Sequence, residues 1–242
     1  MTNAEAKAQL DEITGVFVIA QSSFNVLEYL AMTTGGIEGY IITNNSFLRT
    51  SIFAYWRVAV LELSKLFPNT GDDANNHFSV RKIIDDLKTK TTLLTAPEID
   101  GLEKEETSLR NEETRLKEKI IKSIKTQRDK KIAHTDKDRF SFPDGLSLEN
   151  LFTMLHGCEI MINFLNKKIN GVDFSTANIN EPVTHLQTMV ELLAEIKRKE
   201  VYQKLKEAQS AGIAPDKYKE YGVNTELIVE DRNNIVFKKM SR

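Results

Sequence analysis

The stretch "QRDKKIAHTD", residues 127–136, holds the residue types that acid/base chemistry on a phosphodiester requires. Imidazole changes charge near neutral pH, so His134 can take or give a proton. Guanidinium stays charged and offers a fork of donors to phosphate oxygens, which suits Arg128. Together they could cleave RNA with no metal ion. The base would take the proton of a 2′-hydroxyl, and the arginine would hold the phosphate whose charge grows in the transition state. Asp129 or Asp136 could orient the imidazole, as carboxylates commonly do. Lys125, Lys130 and Lys131 stand alongside and would attract a polyanion. The spacing alone is a weak signal, because arginines and histidines fall this close by chance.

Geometry restricts the idea. Six helical steps of about 100° leave Arg128 and His134 about 120° apart on an ideal helix. Either the helix ends or distorts near Ile132, or two copies of the chain combine their residues.

The charge pattern singles out the same region. The 242-residue chain has a formal net charge of −2, so the whole molecule does not advertise broad nucleic-acid binding. Between Glu98 and Glu113, seven acids face two bases; between Arg115 and Arg139, ten bases face four acids. Helix-dipole complementarity explains acids early and bases late in one helix, but not so many cations over several turns.

Other candidate chemistries fail on their residues. "TTGGIEG", residues 33–39, lacks the lysine and hydroxyl of a phosphate-cradling loop. His77, His156 and His185 lie far apart, without the paired spacing of a zinc site. His156 reads as structural, and Cys158 and Trp56 as core residues on apolar stripes. No cofactor or metal is expected. Cys158 is the single cysteine, so no internal disulfide can form, and a reducing, cytoplasmic location is expected. The N-terminus lacks the pattern of a signal peptide, and no membrane association is expected.

The elements that would position the site read as helices almost throughout. Leu10, Ile13, Phe17, Ala20, Phe24, Leu27 and Ala31 alternate steps of three and four. Phe53, Trp56, Val60, Leu63 and Phe67 follow the same rule, as do Leu148, Leu151, Leu155, Cys158, Ile162, Leu165 and Ile169. Leu186, Met189, Leu193 and Ile196 form a fourth stripe. Each predicts one apolar helical face, and such faces pack as an all-α bundle. Ser79, Thr95 and Ser147 are candidate N-caps. One long charged helix is expected from Thr95 onward, lightly packed at first and rejoining the core at Ile120, Ile121 and Ile124. The tail, with "TELIVE" and "IVFKKM", reads as a small β-hairpin or extended appendage. The expected division is therefore a helical domain over 1–211 and an appendage over 212–242.

"QRDKKIAHTD" resembles the active-site segment of the HEPN superfamily of small helical ribonucleases and nucleotide-binding domains. "SIFAYWRVAVLELSKLF", residues 51–67, and the helical layout are similar to its abortive-infection branch, the U-type phage-resistance proteins. The likeness extends over roughly residues 1 to 210. Arg128, Asp129 and His134 match the signature position by position. Asp129 is an acidic version of a slot that often holds asparagine or histidine. The resemblance implies a helical homodimer whose two motifs meet at the interface. It further implies metal-independent endoribonuclease cleavage that leaves a 2′,3′-cyclic phosphate. A toxin-like role in phage defence, restrained by an antitoxin protein, is also implied. Because some members only bind, a non-catalytic RNA- or nucleotide-binding module or an assembly adaptor is the alternative.

Overall fold

A computed structural model describes residues 2–68, 77–90, 93–132, 145–174 and 179–240, with side chains described except at 130–132 and 234–240. The fold is all-α. The helices are α1 Asn3–Met32, α2 Gly36–Asn44, α3 Ser46–Leu66, α4 Val80–Lys90, α5 Ala96–Asn111, α6 Ile120–Thr126, α7 Leu148–Ile169, α8 Glu181–Ser210 and α9 Thr225–Met240. A π-helical turn over Gln127–Ile132 follows α6, and a 3-10 turn over Pro215–Lys217 precedes α9.

Contacts divide the chain into two units. The first comprises residues 1–25 and 54–180, the second 26–53 and 181–242. This division falls elsewhere than the boundary expected at residue 211.

In the first unit the stripes of α1 and α7 face inward as the sequence predicts. Leu10, Ile13, Phe17, Ala20 and Phe24 are buried, as are Leu151, Leu155, Cys158, Ile162 and Leu165. Thr14 on α1 accepts a 3.5 Å hydrogen bond from Asn166 of α7, and Phe17 meets Phe174 edge-on at 6.0 Å. By length and composition α1 could cross a membrane, at a mean hydropathy of 1.2. Its apolar stripe is instead packed in protein. In the part of α3 that belongs to this unit the core side chains are Ala59, Val60, Leu63 and Leu66, with Phe67 just beyond its end. Phe53, expected on that stripe, is 71% exposed, and Trp56 is only half-buried.

All three expected caps form. The Ser79 hydroxyl accepts from the Lys82 N–H at 3.3 Å. Thr95 and Ser147 make reciprocal capping boxes with Glu98 and Asn150. Across α4 and α5, Arg81 and Arg110 both reach the buried carboxylate of Glu106, and Arg110 also donates to the Pro68 carbonyl at 2.8 Å. A buried charge persists only with such partners.

The single long charged helix is not formed. α5 ends at Asn111, and the chain turns back through a bridge between Glu113 and Lys119. Lys117 adopts a left-handed φ of 59°, and the buried Thr114 hydroxyl accepts from the N–H groups of Leu116 and Glu118. α5 is also better packed than expected, with Ile99, Leu102 and Leu109 buried. Gly157 on α7 makes that approach possible. A methyl group there would lie 2.6 Å from the Leu109 side chain.

The second unit corrects the hairpin expectation: Thr225–Met240 is helical. Asn224 accepts from the Leu227 N–H at 2.9 Å, so the β-branched run starts from a capped turn. α9 and α8 pack on α2 around Ile37, Ala194, Val201, Ala208, Val223, Leu227 and Ile228. Arg198 of α8 holds the buried Asp231 of α9 through two hydrogen bonds of 3.0 and 2.9 Å. The stripe expected to face the core of α8 does not do so. Val190, Ala194, Val201 and Ala208 are its buried residues.

Candidate functional site

The candidate site begins where α6 meets the core. Ile120, Ile121, Ser123, Ile124 and Gln127 are buried, which anchors one side of this helix in the first unit. The inward steps from Ile120 to Ile124 to Gln127 leave Lys125 and Arg128 partly exposed beside them. Among the described residues the buried Ser123 hydroxyl has no hydrogen-bond partner, the kind of unmet polar group that calls for an explanation.

The helix then changes its hydrogen-bond register. The Thr126 hydroxyl donates to the Lys122 carbonyl at 3.0 Å, a back-bond that bends helices. The Gln127 N–H is shared between the carbonyls of Ser123 and Ile124. From Gln127 to Ile132 the backbone is π-helical. Such turns are rare and concentrate at functional sites. The regular α-helical angle therefore does not apply over residues 128–132, where the backbone is π-helical.

Arg128 sits at the second position of that turn. Its Nε–H donates to Asp129 Oδ1 at 2.7 Å, with the two side chains 33% and 35% exposed. The carboxylate thus engages the guanidinium. Lys130 and Lys131 continue the turn, and their side chains lie outside the described residues. His134 and Asp136 also lie outside the described residues.

The other histidines and the cysteine are placed clearly. His156 is 59% exposed on α7, stacked on Phe152 at 5.9 Å with the rings 4° from parallel. It is a surface group packed on a neighbouring ring of its own helix. Cys158 is fully buried, and burial pushes its thiol far above the usual range, so it is inert. Among the described residues no group of three or more His, Cys, Asp or Glu could hold a metal ion.

A cleft of about 570 Å³ opens at the start of α6, lined among others by Glu112, Glu113, Arg115, Glu149 and Asn150. It is too acidic to suit a polyanion, and Ile120 on its wall is about 12 Å along the helix from Arg128. Sequence reasoning missed Gln127, Ser123 and Thr126. The first two could have been found as polar members of the isoleucine face.

The AbiU2 family of HEPN domains matches residues 5–186. The chain belongs to that family, in the abortive-infection branch of the HEPN superfamily. No curated protein and no solved structure matches it. The matched span of this AbiU2-family chain contains α1 to α7 and the first turns of α8, so Arg128, Asp129 and His134 all lie inside it. The remainder of α8 and all of α9 lie beyond it.

Proposed function

We propose that this HEPN abortive-infection protein is a metal-independent endoribonuclease acting in phage defence. Arg128 and His134 carry the reaction, and two copies of the chain bring their motifs together. The supporting observation is Arg128 itself. It projects from a π-helical turn on a buried anchor, beside a carboxylate, within the basic stretch of an AbiU2-family chain.

The chemistry follows from the residues. His134 takes the proton of the ribose 2′-hydroxyl. The 2′-oxygen attacks phosphorus, the 5′-oxygen leaves with a proton from solvent or from the second copy's imidazole, and a 2′,3′-cyclic phosphate remains. Arg128 holds the non-bridging oxygens as their charge grows. Asp129 positions the Arg128 guanidinium. Lys125, Lys130 and Lys131 gather the RNA backbone. An antitoxin protein is the expected restraint on such an activity, and the cytoplasm is its place of action.

The test is His134→Ala in the full chain. Cleavage of RNA in EDTA is abolished while helical content and unfolding temperature stay unchanged. A variant that cuts as fast as the wild type overturns the assignment.

The Asp129 contact also favours a second reading, a module that binds RNA without cutting it. An acid on the arginine competes with phosphate for the same donors. Salt-sensitive binding with no cleavage by the wild type supports that reading instead.

A further inference from the structure

Gly101 stands in the interior of α5 with no local reason to be glycine. Its φ is not positive, and a methyl group there would meet nothing within 4 Å. Glycine weakens a helix interior relative to alanine. What the missing side chain leaves open is a slot of about 340 Å³ between α5 and α7. The buried Leu102 and Met161 line it with Ile160 and Phe164, and Ile160 is 48% exposed. The slot is one end of a longer furrow. α5 and α7 run antiparallel, with Lys168 on Glu98 and Gly157 against Leu109. The furrow's edge on α5 is Gly101, Glu105, Ser108 and Glu112, spaced i, i+4, i+7 and i+11. On α7 the exposed His156 and Phe152 lead from Ile160 toward the acidic cleft at the start of α6. There Glu112, Glu113 and Glu149 outnumber Arg115. Ile160 and Glu149 lie about 16 Å apart along the helix, roughly three turns.

The charges select the occupant. Several acids of α5 are already answered: Glu98 by Lys168, Asp100 by Lys104, Glu103 by Arg81 and Lys88, and Glu106 by Arg81 and Arg110. Glu105, Glu112, Glu113 and Glu149 have no ion-pair partner among the described residues. Solvent satisfies any one of them, and Glu149 also suits the N-terminus of α7. Together they give the furrow a polarity, apolar at the slot and anionic at the far end. That sign repels RNA and acidic peptides. A small cation would leave the slot unused. A helix with an apolar face and basic residues at one end of it matches both ends at once.

We infer that the α5–α7 furrow receives a basic amphipathic helix of a partner protein. A leucine-sized side chain of that helix fills the slot beside Gly101. Lysines or arginines about three turns away lie against Glu112, Glu113 and Glu149. None of the residues named in the furrow takes part in the proposed cleavage, so the two readings stand or fall separately.

Fluorescence anisotropy with the full chain tests it. The probe is a labelled synthetic helix of about five turns, with leucines along one face and lysines at one end of that face. This peptide binds, and its counterpart with glutamates in place of the lysines binds about tenfold more weakly. Gly101→Leu fills the slot and weakens the lysine peptide about tenfold. Its unfolding temperature is not lowered, because leucine is a better helix former than glycine and the site is open. Glu112→Lys with Glu149→Lys reverses the preference, so that the glutamate peptide becomes the tighter ligand. That exchange distinguishes a docked charge from general adhesion. A lysine peptide that fails to bind overturns the proposal. Equal affinity for the two peptides also overturns it, since the contact is then apolar with no selection by charge. Undiminished binding by Gly101→Leu does the same, by placing the peptide elsewhere. The assay contains no RNA, which keeps its outcome distinct from that of the nuclease reading.

Discussion

Arg128 and Asp129 are neighbours in sequence and partners in space, joined by a 2.7 Å hydrogen bond from Nε–H to Oδ1. The pair stands where α6 gives way to a π-helical turn, and both side chains are about one-third exposed. A phosphate approaching Arg128 meets a guanidinium already engaged by an anion. The carboxylate therefore fixes the arginine's orientation and competes with any phosphate for its donors.

Removing that anion separates the two effects. Asp129→Asn binds RNA about two- to fivefold more tightly, in keeping with a partly exposed ion pair worth up to about 1 kcal/mol. Filter binding at fixed salt measures it. Weaker binding by Asp129→Asn than by the wild type contradicts the competition described here.

Arg128→Lys keeps the charge but loses the planar fork. Cleavage by this variant falls about 10²-fold, the scale for losing one transition-state donor, while RNA affinity changes little. Single-turnover rates with saturating protein show whether the loss lies in chemistry or in binding.

Gly157 sits against Leu109 with no room for a side chain. Gly157→Ala forces a methyl group into the α5–α7 contact and destabilises the protein by about 1–3 kcal/mol, the usual range for overpacking. Urea denaturation reads the shift as a lower midpoint. An unchanged midpoint means that Leu109 yields without cost.

Glu98 couples stability to acid. Its hydrogen bond with Lys168, together with those to Thr95, holds its carboxyl down at about 2, against an ordinary 4.5. A depressed folded value stabilises the native state above the unfolded value. The contribution is therefore complete above about pH 4.5 and is lost as pH falls toward 2. Glu98→Gln flattens this acid limb in a series of thermal melts. A variant with the same acid limb as the wild type removes Glu98 from the account.

Much of the fold is legible in the sequence where one physical signal acts alone. The caps at Ser79, Thr95 and Ser147 are read from a hydroxyl placed ahead of an apolar period, and the stripes of α1 and α7 offer a single apolar face. α8 offers two. Period counting favours the large residues of Met189, Leu193 and Ile196, whereas packing takes the small Ala194 and Ala208, which let α2 and α9 come close. The break after Asn111 has no glycine or proline to announce it. It depends on Thr114 satisfying two backbone N–H groups and on Lys117 tolerating a left-handed turn. α9 overrides its β-branched composition through the Asn224 cap and the burial of Leu227 and Ile228. At the candidate site, residue types mark Arg128 and Asp129. Their mutual bond and the change of helical register are tertiary facts that no spacing rule contains.

The second unit draws its parts from residues 26–53 and from everything after residue 180. On the ribosome the first part emerges long before the second, because domains fold as their segments become available. Ile37 on α2 therefore waits, uncovered, until α8 and α9 are made. The first unit, with Arg128 inside it, needs no such delay. Synthesis thus supplies the segment containing Arg128 before the helices that close the second core, and a chain interrupted near residue 180 would carry that segment together with a bare apolar α2.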